Sequence, residues 1–215
     1  MNKKVRKYSE AEIITAFGLE KVKKHNPAID MWLSSEITFN EVEQSVFDDI
    51  FQLAADNIEG WSEEDLKMNF IAFVLRLGHL SPDKQIRTFF DKTIEATVDG
   101  HFLRIKTDFM VAKGVLDLPQ KPYFHFQEYK RQIDPTGNPM AQLLEAMLIA
   151  QEINENKRPI YGCCVIGKFW DFVVLERKTY YVSKSFDCTE RDELLQIIAT
   201  LRKFREILAT TLLDD

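Results

Sequence analysis

The sequence predicts an α/β protein with a mixed central sheet flanked by helices and a helical segment in front. Three observations carry this. Apolar residues recur at spacings of three and four as far as Leu77, the period changes to two from Arg87, and a strand pattern, a helical pattern and a continuously apolar run then follow one another. The resulting order is helix, three strands, helix, strand, then a strand pair and a closing helix, which a sheet covered by helices accommodates. A division at residue 60 gives a helical N-terminal segment, 1–60, and a main domain, 61–215.

Ser9 and Glu12 have the spacing of a capping box ahead of Ile13, Ile14 and Phe17, which predicts a first helix running to about Lys24. Asn40 and Glu43 repeat the device before Val46, Phe47, Ile50, Phe51 and Ala54, a helix expected to end near Gly60. Ser62 caps a third helix from Glu63 to Leu77, with Gly78 at its stop. Phe89–Val98 and Phe102–Ala112, joined by Asp99-Gly100, predict a hairpin, because Asp-Gly supplies the positive φ angles of a tight turn. Residues 114–121 read as a loop and Tyr123–Gln132 as a third strand. A turn over Asp134–Gly137 leads to a helix capped by Asn138, with Pro139 at its first position and its end near Ile153. The apolar run from Pro159 to Gly167 suits a strand buried on both faces. Phe169–Leu175 and Tyr180–Ser183 form a further hairpin, and Thr189 caps a closing helix to about Leu213.

Composition narrows the function. Of the 215 residues 45% are hydrophobic and 29% charged, and eight Gly with seven Pro exclude fibrous and low-complexity classes. Three Cys, two of them adjacent at Cys163 and Cys164, cannot build a disulfide framework and read as buried thiols in a reducing compartment. No run of about 18 apolar residues occurs, and no apolar stretch follows the basic start, so no membrane partner and a cytoplasmic location are expected. The net charge of -6 hides a gradient: residues 1–24 carry 7 basic and 3 acidic side chains, 25–100 carry 5 and 15, and 101–215 carry 16 and 16. The acidity thus belongs to the middle segment, and both ends remain open to polyanions. The four His, at 25, 79, 101 and 125, lack zinc-ligand spacing. Phosphate-binding Gly loops, nucleophile elbows and dinucleotide fingerprints are absent from the sequence. Trp32, Trp61 and Trp170 read as core anchors.

One constellation stands out. Asp108 lies in the second strand and Glu128-Tyr129-Lys130 in the third. Alternation along a strand sends Glu128 and Lys130 to one face, which Phe124 and Phe126 are expected to share, and Tyr129 and His125 to the other. A charged pair continuing an apolar face needs a reason, since unpaired buried charge is expensive. A salt bridge at a strand end is one reason. The other is a hard divalent cation held by carboxylates from neighbouring strands, with the ammonium close to the reacting water.

An Asp leading an apolar run, Thr107-Asp108-Phe-Met-Val-Ala, followed by an apolar strand ending in Glu128-Tyr129-Lys130-Arg131, resembles the PD-(D/E)XK nuclease superfamily. The order of elements over roughly Glu63 to Val174 agrees, and Gln142 opens the next helix where RecB-like members place a Gln. The Tyr of the RecB-like signature is missing after Gln142, and Thr107 stands where Pro is common. The resemblance implies a restriction-endonuclease-like core and a hydrolase, a nuclease cleaving DNA by metal-activated water. In that reading Asp108 and Glu128, with the Tyr129 carbonyl, bind Mg2+, for which Mn2+ substitutes. Lys130 orients or activates the water, and Gln142 completes the site. Glu64 is the candidate for a further acidic ligand, with Glu63 and Asp65 competing for that role. Asp117, the alternative first acid, falls beside Pro119 in the expected loop and reads as a turn residue. Contacts to DNA are assigned to Lys106, Lys113, Lys121, Arg131 and the basic N-terminus, and cutting both strands at one place would call for a homodimer. The alternative is a non-catalytic nucleic-acid-binding or protein-interaction module on the same fold.

Overall fold

The computed structural model describes residues 7–23, 26–80, 85–133, 137–155 and 158–212. Their strands form one mixed sheet of seven, in the order β1-β7-β6-β5-β4-β3-β2. The chain runs α1 (Glu10–Phe17), β1 (Glu20–Val22), α2 (Pro27–Leu33), α3 (Glu41–Asn57), α4 (Glu63–Leu66), a π-helical turn (Lys67–Ile71) and α5 (Ala72–Gly78). It continues with β2 (Ile86–Val98), β3 (His101–Val115), β4 (Leu118–Lys130), α6 (Pro139–Asn154), β5 (Ile160–Ile166), β6 (Phe169–Glu176), β7 (Thr179–Asp187) and α7 (Arg191–Ile207), which ends in a second π-helical turn, Leu208–Leu212. Strands β2, β3 and β4 are antiparallel, β4 pairs with β5 in parallel across α6, and β5, β6 and β7 are antiparallel again.

Two apolar layers cover the sheet. On one face Trp32 of α2, Phe47 of α3, Phe70 of the π-helical turn and Phe204 of α7 pack with Phe109, Tyr129, Cys163 and Phe172. On the other, Ile13 and Phe17 of α1 and the apolar side of α6 pack with Phe126, Cys164 and Val173. Adjacent Cys163 and Cys164 therefore belong to opposite faces, as strand alternation requires, and all three cysteines are buried and free.

Several local expectations are met. The capping boxes at Ser9, Asn40 and Ser62 form, Asn138 caps α6, and Asp99 and Gly100 take positive φ in the β2–β3 turn. Trp32 and Trp170 are fully buried.

Other boundaries differ, each for a local reason. The first helix stops at Phe17 because Gly18 adopts the left-handed conformation (φ 62°) and returns its N–H to Ile14, after which Glu20–Val22 pairs in parallel with β7. The described residues before residue 60 thus contribute a strand to the sheet as well as helices. The expected end of that helix, Lys24, lies outside the described residues, as do His25 and Asp134–Thr136 of the expected turn. Residues 114–121 are no loop, since β3 and β4 continue to a tight turn at Leu116-Asp117. Gly114, Pro119 and Pro122 look like breakers, yet β4 pairs with β5 only over His125–Lys130, so these prolines sit where that side of β4 needs no donor. A register shift in the β3–β4 ladder moves Phe124 to the Tyr129 face, leaving Phe126 on the face of Glu128 and Lys130. Helix α7 starts after Glu190, because the Thr189 hydroxyl donates to Asp187 instead of capping it.

Candidate active site

The ladder between β3 and β4 ends at the pair Phe109–Gln127, so Asp108 stands one step beyond it, level with Glu128. There the backbone N–H of Tyr129 donates to Asp108 Oδ2 at 2.9 Å. The Tyr129 side chain turns to the opposite face and donates its hydroxyl to Gln127 Oε1 at 2.6 Å, while its carbonyl stays with the charged cluster and accepts from Lys130 Nζ at 2.8 Å.

Lys130 is the centre of that cluster. Its Nζ lies 3.1 Å from Glu128 Oε1, 3.6 Å from Glu63 Oε2 and 3.8 Å from Asp108 Oδ2. Glu63 arrives from the start of α4, where the Ser62 capping box fixes the first turn. Of the three acids competing for this position, Asp65 is used by the cap, accepting from Ser62. Glu64 points outward with its side chain 80% exposed. The inward acid is therefore Glu63, and Glu64 is displaced from the role first assigned to it. Asp117, in the β3–β4 turn, is almost wholly exposed and takes no part.

A second ammonium, from Lys67, bridges Glu63 Oε1 at 2.8 Å and Asp108 Oδ1 at 3.0 Å. Burial disfavours the charged form of Lys67, but its hydrogen bonds to Glu63 and Asp108 outweigh this and raise its pKa. Lys130 behaves likewise, with the charges of Glu128 and Asp108 outweighing burial. Burial, and then the charge of Asp108, push Glu128 up to about 8 in spite of Lys130. Three acidic side chains thus share two ammoniums.

A cleft of about 650 Å³ opens beside this cluster and reaches it at Glu63 and Lys130. Glu63, Lys130, Gln142 and Glu145 line one part of it, and Lys7, Arg104 and Lys106 supply basic groups. Of the cations assigned to DNA that lie among the described residues, only Lys106 and the N-terminal Lys7 line the cleft. Lys113, Lys121 and Arg131 are not among its lining residues, and Lys121 is paired with Glu155 at the far end of α6. Glu145 is 4% exposed, and burial pushes it up to about 7 although the backbone of Tyr8 hydrogen-bonds to it.

Oxygens of Asp108, Glu128, Glu63 and the Tyr129 carbonyl all lie within 4 Å of Lys130 Nζ, and oxygen is the donor type that hard divalent cations take. The Lys130 ammonium itself fills the point where they converge, and among the described residues no three or more Asp, Glu, His or Cys are grouped so as to hold a metal. Lys67 and Glu145 escaped the sequence reading. The signal for Lys67 was its i,i+4 spacing from Glu63, and for Glu145 a lone acid inside the apolar run Leu143–Ile149.

No family model matches the sequence, and no curated protein matches it. No helix of the described residues is long and apolar enough to cross a membrane.

Proposed function

We propose that the protein is a metal-dependent nuclease of the PD-(D/E)XK type, with a restriction-endonuclease-like core, that hydrolyses DNA phosphodiester bonds. The observation that carries this reading is the convergence of Asp108, Glu128, Glu63 and the Tyr129 carbonyl on Lys130 Nζ, at the edge of a cleft that also holds Gln142. These groups come from β3, β4, α4 and α6, the elements the sequence resemblance assigns to such a site.

In this reading Asp108, Glu128 and the Tyr129 carbonyl, joined by Glu63, hold Mg2+ or Mn2+. A divalent cation supplies charge neutralisation for the phosphate and lowers the pKa of water bound to it. Lys130 then lies within reach of the attacking water and keeps its proton, so it orients that water and balances charge. Gln142 and the basic groups Arg104, Lys106 and Lys7 position the phosphate backbone across the cleft.

Cleavage of supercoiled plasmid and of single-stranded DNA with Mg2+ or Mn2+, against a chelator control, tests the proposal. Cleavage is expected from the wild type and lost in Asp108→Ala and Lys130→Ala. If no DNA form is cut by a folded wild type, the non-catalytic module is the better reading, and its support is that both ammoniums already satisfy the carboxylates.

A further inference from the structure

We propose that Lys67 is a resident cation of this site and competes with a divalent ion for Glu63 and Asp108, so that it sets the metal concentration at which the site loads. The inference rests on the nuclease reading and adds to it a form of regulation.

The two ammoniums divide the oxygens of Glu63 and Asp108 between them. Lys67 takes Glu63 Oε1 and Asp108 Oδ1 at 2.8 and 3.0 Å, while Lys130 faces Glu63 Oε2 and Asp108 Oδ2 at 3.6 and 3.8 Å. A divalent ion that draws oxygens in to roughly 2.1 Å needs one of these ammoniums to yield. Lys130 is the harder to move: its side chain is 8% exposed, and its shortest contacts are to the Tyr129 carbonyl and Glu128. Lys67 is 22% exposed and has somewhere to go, because the exposed carboxylate of Glu64 lies 3.8 Å away.

Lys67 stands where the helix changes its hydrogen-bonding pattern. The α-helical hydrogen-bonding gives way there to the π-helical turn Lys67–Ile71, and the Lys67 N–H is shared between the carbonyls of Glu63 and Glu64. Such π-helical turns recur at functional sites. The outward-facing Glu64, which has no role as a ligand here, becomes the acceptor of the released ammonium.

The test is Mn2+ binding by titration calorimetry to metal-stripped full-length protein, with melting temperatures measured in chelator. Lys67→Met is expected to bind Mn2+ about tenfold more tightly, since a like charge a few ångströms away is removed. It should melt below the wild type in chelator, with Mn2+ closing the gap. Lys67→Arg should resemble the wild type in both measurements. Glu64→Gln, a change at an exposed side chain that leaves the fold intact, should weaken Mn2+ binding about twofold in the wild type and leave it unchanged in the Lys67→Met background. A wild type that binds Mn2+ no more weakly than Lys67→Met, or an equal effect of Glu64→Gln in both backgrounds, overturns the inference while the nuclease reading stands. Absence of Mn2+ binding in every variant overturns both.

Discussion

The backbone N–H of Tyr129 donates to Asp108 Oδ2 at 2.9 Å, so one acid of the cluster is fixed by the main chain of the strand that carries the other. Asp108 is close enough for its charge to be the second cause, after burial, of the raised pKa of Glu128. Replacing Asp108 by Asn keeps an oxygen for the Tyr129 N–H and removes the charge. The Glu128 pKa should then fall from about 8 toward its ordinary value. Carboxyl 13C chemical shifts followed against pH read this directly, and an unchanged Glu128 midpoint would mean that burial alone sets it.

Glu145 and His125 give the fold opposite pH dependences. Glu145 titrates at about 7 when folded and near 4.5 when unfolded, so the folded state holds the extra proton between these values and stability falls as pH rises through that window. Glu145→Gln retains an acceptor for the Tyr8 backbone and should be more stable than the wild type by roughly 2 kcal/mol at pH 8. That advantage should vanish near pH 4. His125 is wholly buried and pushed down to about 3. The unfolded state therefore binds more protons below about 6.5, and stability is lost as pH falls from there. Because the Tyr129 hydroxyl donates to Gln127 Oε1, the Gln127 amide nitrogen donates to His125 Nε2 at 2.9 Å, leaving the imidazole proton on Nδ1. Imidazole 15N shifts should report that neutral tautomer down to pH 4.

Trp32 ties the N-terminal segment to the rest of the molecule. It is fully buried, meets Tyr161, Phe172 and Phe204 edge-on, and donates its indole N–H to the Thr200 carbonyl at 2.8 Å. Trp32→Ala should cost about 3–5 kcal/mol in urea unfolding, from the lost burial, the cavity and the abandoned carbonyl. A cost below 1 kcal/mol would mean that residues 26–33 contribute little to the core.

Gly18→Ala probes the end of α1. Its Cβ would meet open space, so the penalty is confined to the left-handed backbone, φ 62°. A loss of about 1 kcal/mol in the same unfolding measurement is expected, and no loss would show that another residue terminates the helix.

Much of this arrangement was legible in the sequence because it depends on local signals. Capping boxes, the Asp99-Gly100 turn and the alternation that separates Glu128 and Lys130 from Tyr129 are all encoded within a few residues. Helix α2 carries a signal of the same kind, Asn26-Pro27, matching Asn138-Pro139 ahead of α6. The β3–β4 turn was obscured because Pro and Gly mark loops, and only the pairing of β4 with its neighbours shows that they are tolerated there. In the site, Asp108, Glu128 and Lys130 announce themselves by being charged in apolar strands. The choice among Glu63, Glu64 and Asp65 could not be made locally, since a helix N-terminus favours acids for its own reasons and only packing decides which one turns inward. Lys67 and Glu145 are ordinary helical residues in sequence, and their importance comes from what the fold places opposite them.

In the proposed function a divalent cation occupies the point where these oxygens converge. Crystals of the protein soaked in Mn2+, measured at the manganese absorption edge, should show an anomalous peak bonded to the carboxylates of Asp108 and Glu128 and to the Tyr129 carbonyl, with Lys67 Nζ released from its present contacts to Glu63 and Asp108. A structure at high Mn2+ with no such peak, and with Lys130 and Lys67 still holding the three carboxylates, would contradict it.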